Sequence, residues 1–161
     1  MATAPRWLLM GVAGAGKTTV GRALATAAEV PFVDGDDLHP PANVAKMRAG
    51  RPLDDADRWP WLAAIGSQLA AAPGGLVVAC SALRRSHRDR LRTACPELRI
   101  VQLAIDEATA AARLKHRAGH FFPPELLASQ FATLEPLRRG LVLDATRPTA
   151  ELVAAILAGP R

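Results

Sequence analysis

Gly11-Val12-Ala13-Gly14-Ala15-Gly16-Lys17-Thr18 fits the spacing G-x-x-x-x-G-K-[ST] at every position. Glycines at these points let the backbone curl until successive N–H groups point inward as an anion nest. A helix that begins where the loop ends adds its positive N-terminal end. The pattern reads as a polyphosphate cradle, with Lys17 reaching the β- and γ-phosphates and the Thr18 hydroxyl available to magnesium. Thr19 is either helix surface or a minor phosphate contact.

A second chemical cluster follows at Asp34-Gly35-Asp36-Asp37. Like charges this close repel, so a fold tolerates them best where a cation or a hydroxyl substrate uses them. Alternation along an extended strand would turn Asp34 and Asp36 the same way. One then suits the magnesium shell and the other a substrate hydroxyl, while Asp37 fits a helix N-cap. Cations form a third group. Leu83-Arg84-Arg85-Ser86-His87-Arg88 opens a helix, where cations oppose the dipole and so point to an anionic ligand. Arg58, beside Trp59 and Trp61, either clamps a carboxylate or stacks on an indole. His87 reads as a solvated helix residue. His39 and His120, next to proline and glycine, are ligand contacts or plain turn residues. Arg113, Arg117 and His120 precede a Pro-Pro loop, and a lid carrying arginine would exclude water and stabilise a transferring phosphoryl group; the alternative is a solvent-facing arginine pair at i,i+4.

Apolar runs ending in polar turns must carry these residues. WLLMGV from Trp7, Val30–Asp34, Leu76–Cys80, LRIVQLA from Leu98 and Leu141–Ala145 read as five strands. Helices are expected over Lys17–Glu29, Ala42–Ala49, Trp59–Ala72, Leu83–Ala94, from Asp106 towards Arg117, Glu125–Thr133 and Thr149–Ala158. Pro31 suits only a strand start or edge. Strands alternating with helices argue for an α/β fold, a five-stranded parallel sheet with helices on both faces. Ligands in such sheets bind beyond the carboxyl ends of the strands, and the polar clusters follow strands one, two and three.

The chain has 161 residues, the size of one domain. It is read as a single unit over 1–161 with a lid segment at about 113–133. Half of the residues are hydrophobic, which excludes intrinsic disorder, and no apolar run is long enough to span a membrane. The short apolar start feeds directly into the glycine loop and reads as a strand, not a secretory leader. Net charge is +5, carried by arginine except at Lys17, Lys46 and Lys115. With no tyrosine and few aromatics, a base-stacking nucleic-acid surface is not expected; small anionic ligands account for the charge. Cys80 and Cys95 lack metal-site spacing and suit free thiols in a reducing cytoplasm.

GVAGAGKTTVGRALA, DGDDLHPPANVAKMRAGRPLDDADRWPWL, ACSALRRSHRDRLR and GHFFPPELLASQFATLEPL together resemble the bacterial gluconokinases. The resemblance runs from Leu8 to about Ile156. It implies a phosphate-loop (P-loop) NTPase fold of the nucleoside-monophosphate-kinase type. It also implies ATP-dependent phosphorylation of D-gluconate at the 6-hydroxyl, and a cytoplasmic homodimer. By the same resemblance Gly11 to Thr18 bind the ATP phosphates, and Arg113 and Arg117 fall at adenine-stacking and lid positions. Asp34 and Asp36 match paired aspartates used for magnesium and the acceptor. Arg58 matches a carboxylate-holding position in the related shikimate kinases. Two departures stand out: Ala13 and Ala15 where serines are frequent, and His87 where an aromatic is usual.

The mechanism so implied is in-line transfer. Lys17, magnesium and Arg117 spread the developing charge, with Thr18 and Asp34 on the metal. Asp36 orients the hydroxyl and takes its proton. Arg58, with Arg84 and Arg88, holds the carboxylate; His39 and His120 contact the substrate. The alternatives are another kinase of this fold, acting on shikimate or a nucleoside monophosphate, and a nucleotide-dependent regulatory protein. The guanine motif N-K-x-D of GTP-binding switches is absent from the sequence.

Overall fold

The computed structural model describes residues 4–117 and 122–159. Five strands, β1 (Arg6–Met10), β2 (Phe32–Asp34), β3 (Leu76–Ala79), β4 (Arg99–Ala104) and β5 (Leu141–Asp144), form one sheet. Their order is β2-β3-β1-β4-β5 and every pairing is parallel. The helices are α1 (Lys17–Ala28), α2 (Pro41–Arg48), α3 (Asp55–Ala70), α4 (Arg85–Ala94), α5 (Glu107–Lys115), α6 (Pro124–Thr133) and α7 (Thr149–Ala158).

The alternation of β1 divides the core. Trp7 and Leu9 pack with Val20 and Leu24 of α1 and Leu152 and Ile156 of α7. Leu8 and Met10 point the other way, into Trp61, Leu62 and Ile65 of α3 and Leu91 of α4. Both faces of the sheet are therefore covered, which is why its central strands read as unbroken apolar runs. α1 leaves β1 over one face and α4 leaves β3 over the other. The crevice between the carboxyl ends of these two neighbours is where such sheets hold ligands.

Most boundaries move by one or two residues, and three element starts move by two or more, each for a local reason. β2 begins after Pro31 and lies at the sheet edge, where a residue without an N–H is tolerated. α3 begins at Asp55, four residues before Trp59. There the Asp54 carboxylate accepts from the Asp57 N–H at 2.8 Å, and Asp57 accepts from the Asp54 N–H at 3.0 Å. This reciprocal cap outweighs the polar composition that made the segment read as loop. α4 begins at Arg85 because Ala82 turns into the left-handed region (φ 40°) and Arg84 stays extended.

Candidate active site

At the carboxyl end of β1 the chain turns through Gly14 (φ 84°) and Gly16 (φ 92°). A side chain on Gly14 would meet the Ala110 carbonyl at 2.8 Å, so both the turn and the close approach of α5 require glycine there. α1 starts at Lys17 with no side chain capping it, leaving its first N–H groups directed into the loop. The Lys17 ammonium donates to the carbonyls of Gly11 (3.0 Å) and Val12 (2.9 Å). Burial pulls its pKa down, with Asp36 and Asp34 opposing. Arg113 on α5 braces the loop from outside, donating to Gly14, Ala15 and Ala145 carbonyls at 3.3, 3.4 and 2.9 Å.

The carboxyl end of β2 faces this loop. Asp34 is half-buried and accepts from the Thr18 hydroxyl at 3.4 Å, so two hard oxygen donors stand side by side. Its other oxygen accepts from the Asp36 N–H at 3.0 Å and caps a 3-10 turn over Gly35–Leu38. Asp34 is thus the cap that Asp37 was expected to be. Asp36 lies in that turn, not in the strand, so strand alternation does not set its direction. The turn itself still brings it to the same cavity as Asp34. Asp36 opens to solvent on one side, but the protein around it raises its carboxyl pKa, with Lys17 opposing and Asp34 reinforcing.

One cavity of about 850 Å³ joins the phosphate loop to the acidic turn. Ala13 to Thr19, Asp34, Asp36, His39, Arg58, Arg113 and Arg117 all border it. His39, Arg58 and Trp61 form another part of its wall. There His39 stacks on Trp61, ring centroids 4.2 Å apart and planes 14° apart. Asn43 Nδ2 donates to the Asp57 carbonyl at 2.8 Å and to His39 Nδ1 at 3.1 Å. That leaves Nε2 as the protonated nitrogen of a neutral ring. Burial, reinforced by Arg58, holds the His39 pKa down at about 4. Arg58 pairs with Asp55 at 3.6 Å instead of stacking on an indole; the arginine over Trp59 is Arg90, 4.6 Å from the ring centre.

Several expected site residues stand elsewhere. Gly11 and Val12 are buried behind the cavity wall and contribute their carbonyls to Lys17. Arg88 is 2% exposed, and its guanidinium donates to the carbonyls of Ala82, Leu83, Glu135 and Pro136. It is a brace between α4 and the segment after α6, not a substrate contact. Arg84 is exposed and does not border the cavity. His87, expected in solvent, is buried. His120 lies outside the described residues. Cys80 is a buried free thiol at the end of β3, pushed up to about 12 by burial and so inert as a nucleophile.

Other wall residues were not anticipated. Gln130 of α6 accepts from the Ala13 N–H at 2.7 Å, but one polar residue in an amphipathic helix carries no signal by itself. Arg147 borders the cavity just after β5, and the rule that ligands sit beyond strand ends would have found it. Among the described residues no three His, Cys, Asp or Glu side chains cluster as metal ligands, and no helix is long and apolar enough to cross a membrane.

Fold and site together define a phosphate-loop kinase: an anion nest at a helix start shares a cavity with two carboxylates and with Arg58. A family profile described as an AAA domain matches residues 7–137. A gluconokinase of Gluconobacter oxydans is 50% identical, covering 84% of this chain and 78% of the relative. The thermoresistant gluconokinase of Escherichia coli is 39% identical over 94% of this chain and 90% of its own length. The crystal structure of a gluconokinase from Sinorhizobium meliloti superimposes with a TM-score of 0.89 at 48% identity, covering 98% of this chain and 92% of that one. The chain belongs to the gluconokinase family.

Proposed function

We propose that the chain transfers the γ-phosphoryl group of ATP to the 6-hydroxyl of D-gluconate, giving ADP and 6-phospho-D-gluconate. Family membership supports the activity. The observation that supports the mechanism is that Lys17, Asp36 and Arg58 all border one cavity.

The loop amides of Gly14, Gly16, Lys17 and Thr18 hold the polyphosphate, those of Ala13 and Ala15 donating instead to Gln130 and to the Val12 carbonyl, and Lys17 neutralises charge on the group in transit. Asp36 is a raised-pKa carboxylate beside the loop. It orients the 6-hydroxyl and takes its proton as the oxygen attacks phosphorus. Arg58 and the Nε2–H of His39 bind the carboxylate at the opposite end of the six-carbon chain. This sets which hydroxyl reaches Asp36. Arg113 fixes the loop, while Arg117 reaches the phosphoryl group from the α5 side. Thr18 and Asp34 offer the hard oxygens magnesium prefers, and a site completed by nucleotide phosphates needs few protein ligands. When bound there, magnesium would neutralise phosphate charge and orient the leaving group.

A homodimer working in the cytoplasm is part of this reading and rests on the resemblance to the gluconokinases. Other kinases of this fold are the second reading, less favoured by the identity to gluconokinases over most of the chain.

The test is ADP release from ATP with gluconate, shikimate or nucleoside monophosphates as sole acceptor. Gluconate-dependent turnover is expected. Turnover with shikimate or a nucleoside monophosphate and none with gluconate would overturn the substrate assignment. Nucleotide hydrolysis indifferent to every acceptor would overturn the kinase reading.

A further inference from the structure

α3 and α4 start side by side, and the contact between their first turns is built around a buried imidazole. His87 is 1% exposed. Its Nδ1 accepts the Arg84 backbone N–H at 3.3 Å, so the proton of the neutral ring lies on Nε2. That Nε2–H donates to Asp55 Oδ1 at 3.0 Å. The same carboxylate oxygen is 3.6 Å from Arg58 Nη1. Trp59 closes the remaining side edge-on, 5.9 Å away at 81°, and Arg90 lies over the outer face of that indole. The charged groups facing the imidazole are Asp55 and Arg58 from α3 and Arg84 from the start of α4. Burial lowers its pKa; the bond to Asp55 opposes this and Arg58 and Arg84 reinforce it.

Arg58 borders the cavity, and its one ion pair among the described residues is with Asp55. Asp55 is 41% exposed, and a carboxylate so placed swings freely in water unless something holds it. The buried N–H of His87 holds it. The order of restraint runs from the backbone of Arg84 through the imidazole to the carboxylate and then to the guanidinium.

We propose that His87 is a positioning residue for the acceptor acid: acting through Asp55, it orients the Arg58 guanidinium towards the substrate carboxylate. This rests on the reading of Arg58 as the carboxylate-binding group. His87 touches neither substrate, so it acts on acceptor binding and leaves nucleotide binding and the chemical step alone.

The experiment uses the full chain and steady-state kinetics with both substrates varied. His87→Leu and Asp55→Ala should each raise KM for gluconate roughly tenfold, and His87→Gln, which keeps an N–H for Asp55, should stay within about twofold of the parent, the scale expected of one charge-assisted hydrogen bond. KM for ATP and kcat should not change. Adding His87→Leu to Arg58→Ala should cost nothing further, because the restraint acts only through that guanidinium. If His87→Leu does not fold, Asp55→Ala, at the surface, carries the same test. An unchanged gluconate KM in Asp55→Ala or His87→Leu, or a loss that multiplies with that of Arg58→Ala, overturns the proposal. If Arg58→Ala itself leaves gluconate KM unchanged, the carboxylate assignment fails and takes this inference with it.

Discussion

The side-chain oxygen of Gln130, on α6, accepts a hydrogen bond from the backbone N–H of Ala13 at 2.7 Å. The helix after the Pro-Pro loop is thereby tied to the phosphate loop through one of the amides that shape the nest. Removing the tie frees α6 and unsettles that amide without touching Arg58 or His39. Gln130→Ala is expected to raise KM for ATP roughly three- to tenfold, the range of a single net hydrogen bond. KM for gluconate should stay put. Initial-rate kinetics with each substrate varied in turn separates the two constants, and a change confined to gluconate would refute this placement of α6.

Lys17 and Asp36 are assigned opposite halves of one transfer, so their variants should fail differently. Lys17→Ala loses a preorganised cation at the developing charge, and kcat should drop by about 3–4 kcal/mol of barrier. Asp36→Asn keeps the shape but loses the proton acceptor. Its kcat should fall by roughly two to four orders of magnitude while nucleotide affinity, measured by calorimetry, is retained. Full turnover in the Asn variant would move the base elsewhere.

Thr18 and Asp34 present adjacent oxygens, 3.4 Å apart. Thr18→Val removes the hydroxyl while keeping the shape of the side chain. Titrating magnesium at fixed ATP should then show a higher concentration for half-maximal rate, and chelation should silence the parent protein. A variant whose magnesium curve overlays the parent's would exclude Thr18 from the metal shell.

The neutral His39 links folding to pH. Its pKa is held at about 4 in the folded chain, below the ordinary histidine value. Between those two values the unfolded chain binds more protons than the folded one, so stability rises with pH across this window. Acidification from about 6.5 to 4 should therefore lower Tm, and His39→Phe, which keeps a ring over Trp61, should remove part of that dependence. Melting curves at several pH values test this. Equal pH slopes in parent and variant would show that His39 contributes nothing.

Trp61 is 1% exposed and donates its indole N–H to the Gly35 carbonyl at 2.7 Å. It therefore anchors the acidic turn as well as filling the core. Trp61→Phe should cost about 1–3 kcal/mol in chemical unfolding, because a buried carbonyl loses its donor. The acceptor side of the cavity should weaken more than the nucleotide side.

The strand ends and the loop spacing were legible along the chain because each depends on neighbours within a few residues. Gly14 and Gly16 announce a turn, Lys17 opens a helix, and alternation in β1 sorts Trp7 and Leu9 from Leu8 and Met10. The direction of Asp36 was not legible, since a 3-10 turn capped by Asp34 replaced the expected strand continuation. The arginines divide the same way. Charge and spacing nominated Arg58, Arg84 and Arg88 alike, yet only Arg58 borders the cavity. Arg88 is consumed by four carbonyls, two of them 47 and 48 residues away along the chain.

By itself, then, the order of residues determined the parallel sheet, the anion nest and the acidic turn that follows β2. Tertiary packing decided which cations face the substrate cavity, that His87 is buried against Asp55, and that Gln130 touches the loop. The physical reason is range. A turn or a cap is settled by bonds between near neighbours, whereas a side chain's burial and partners depend on which distant elements close around it.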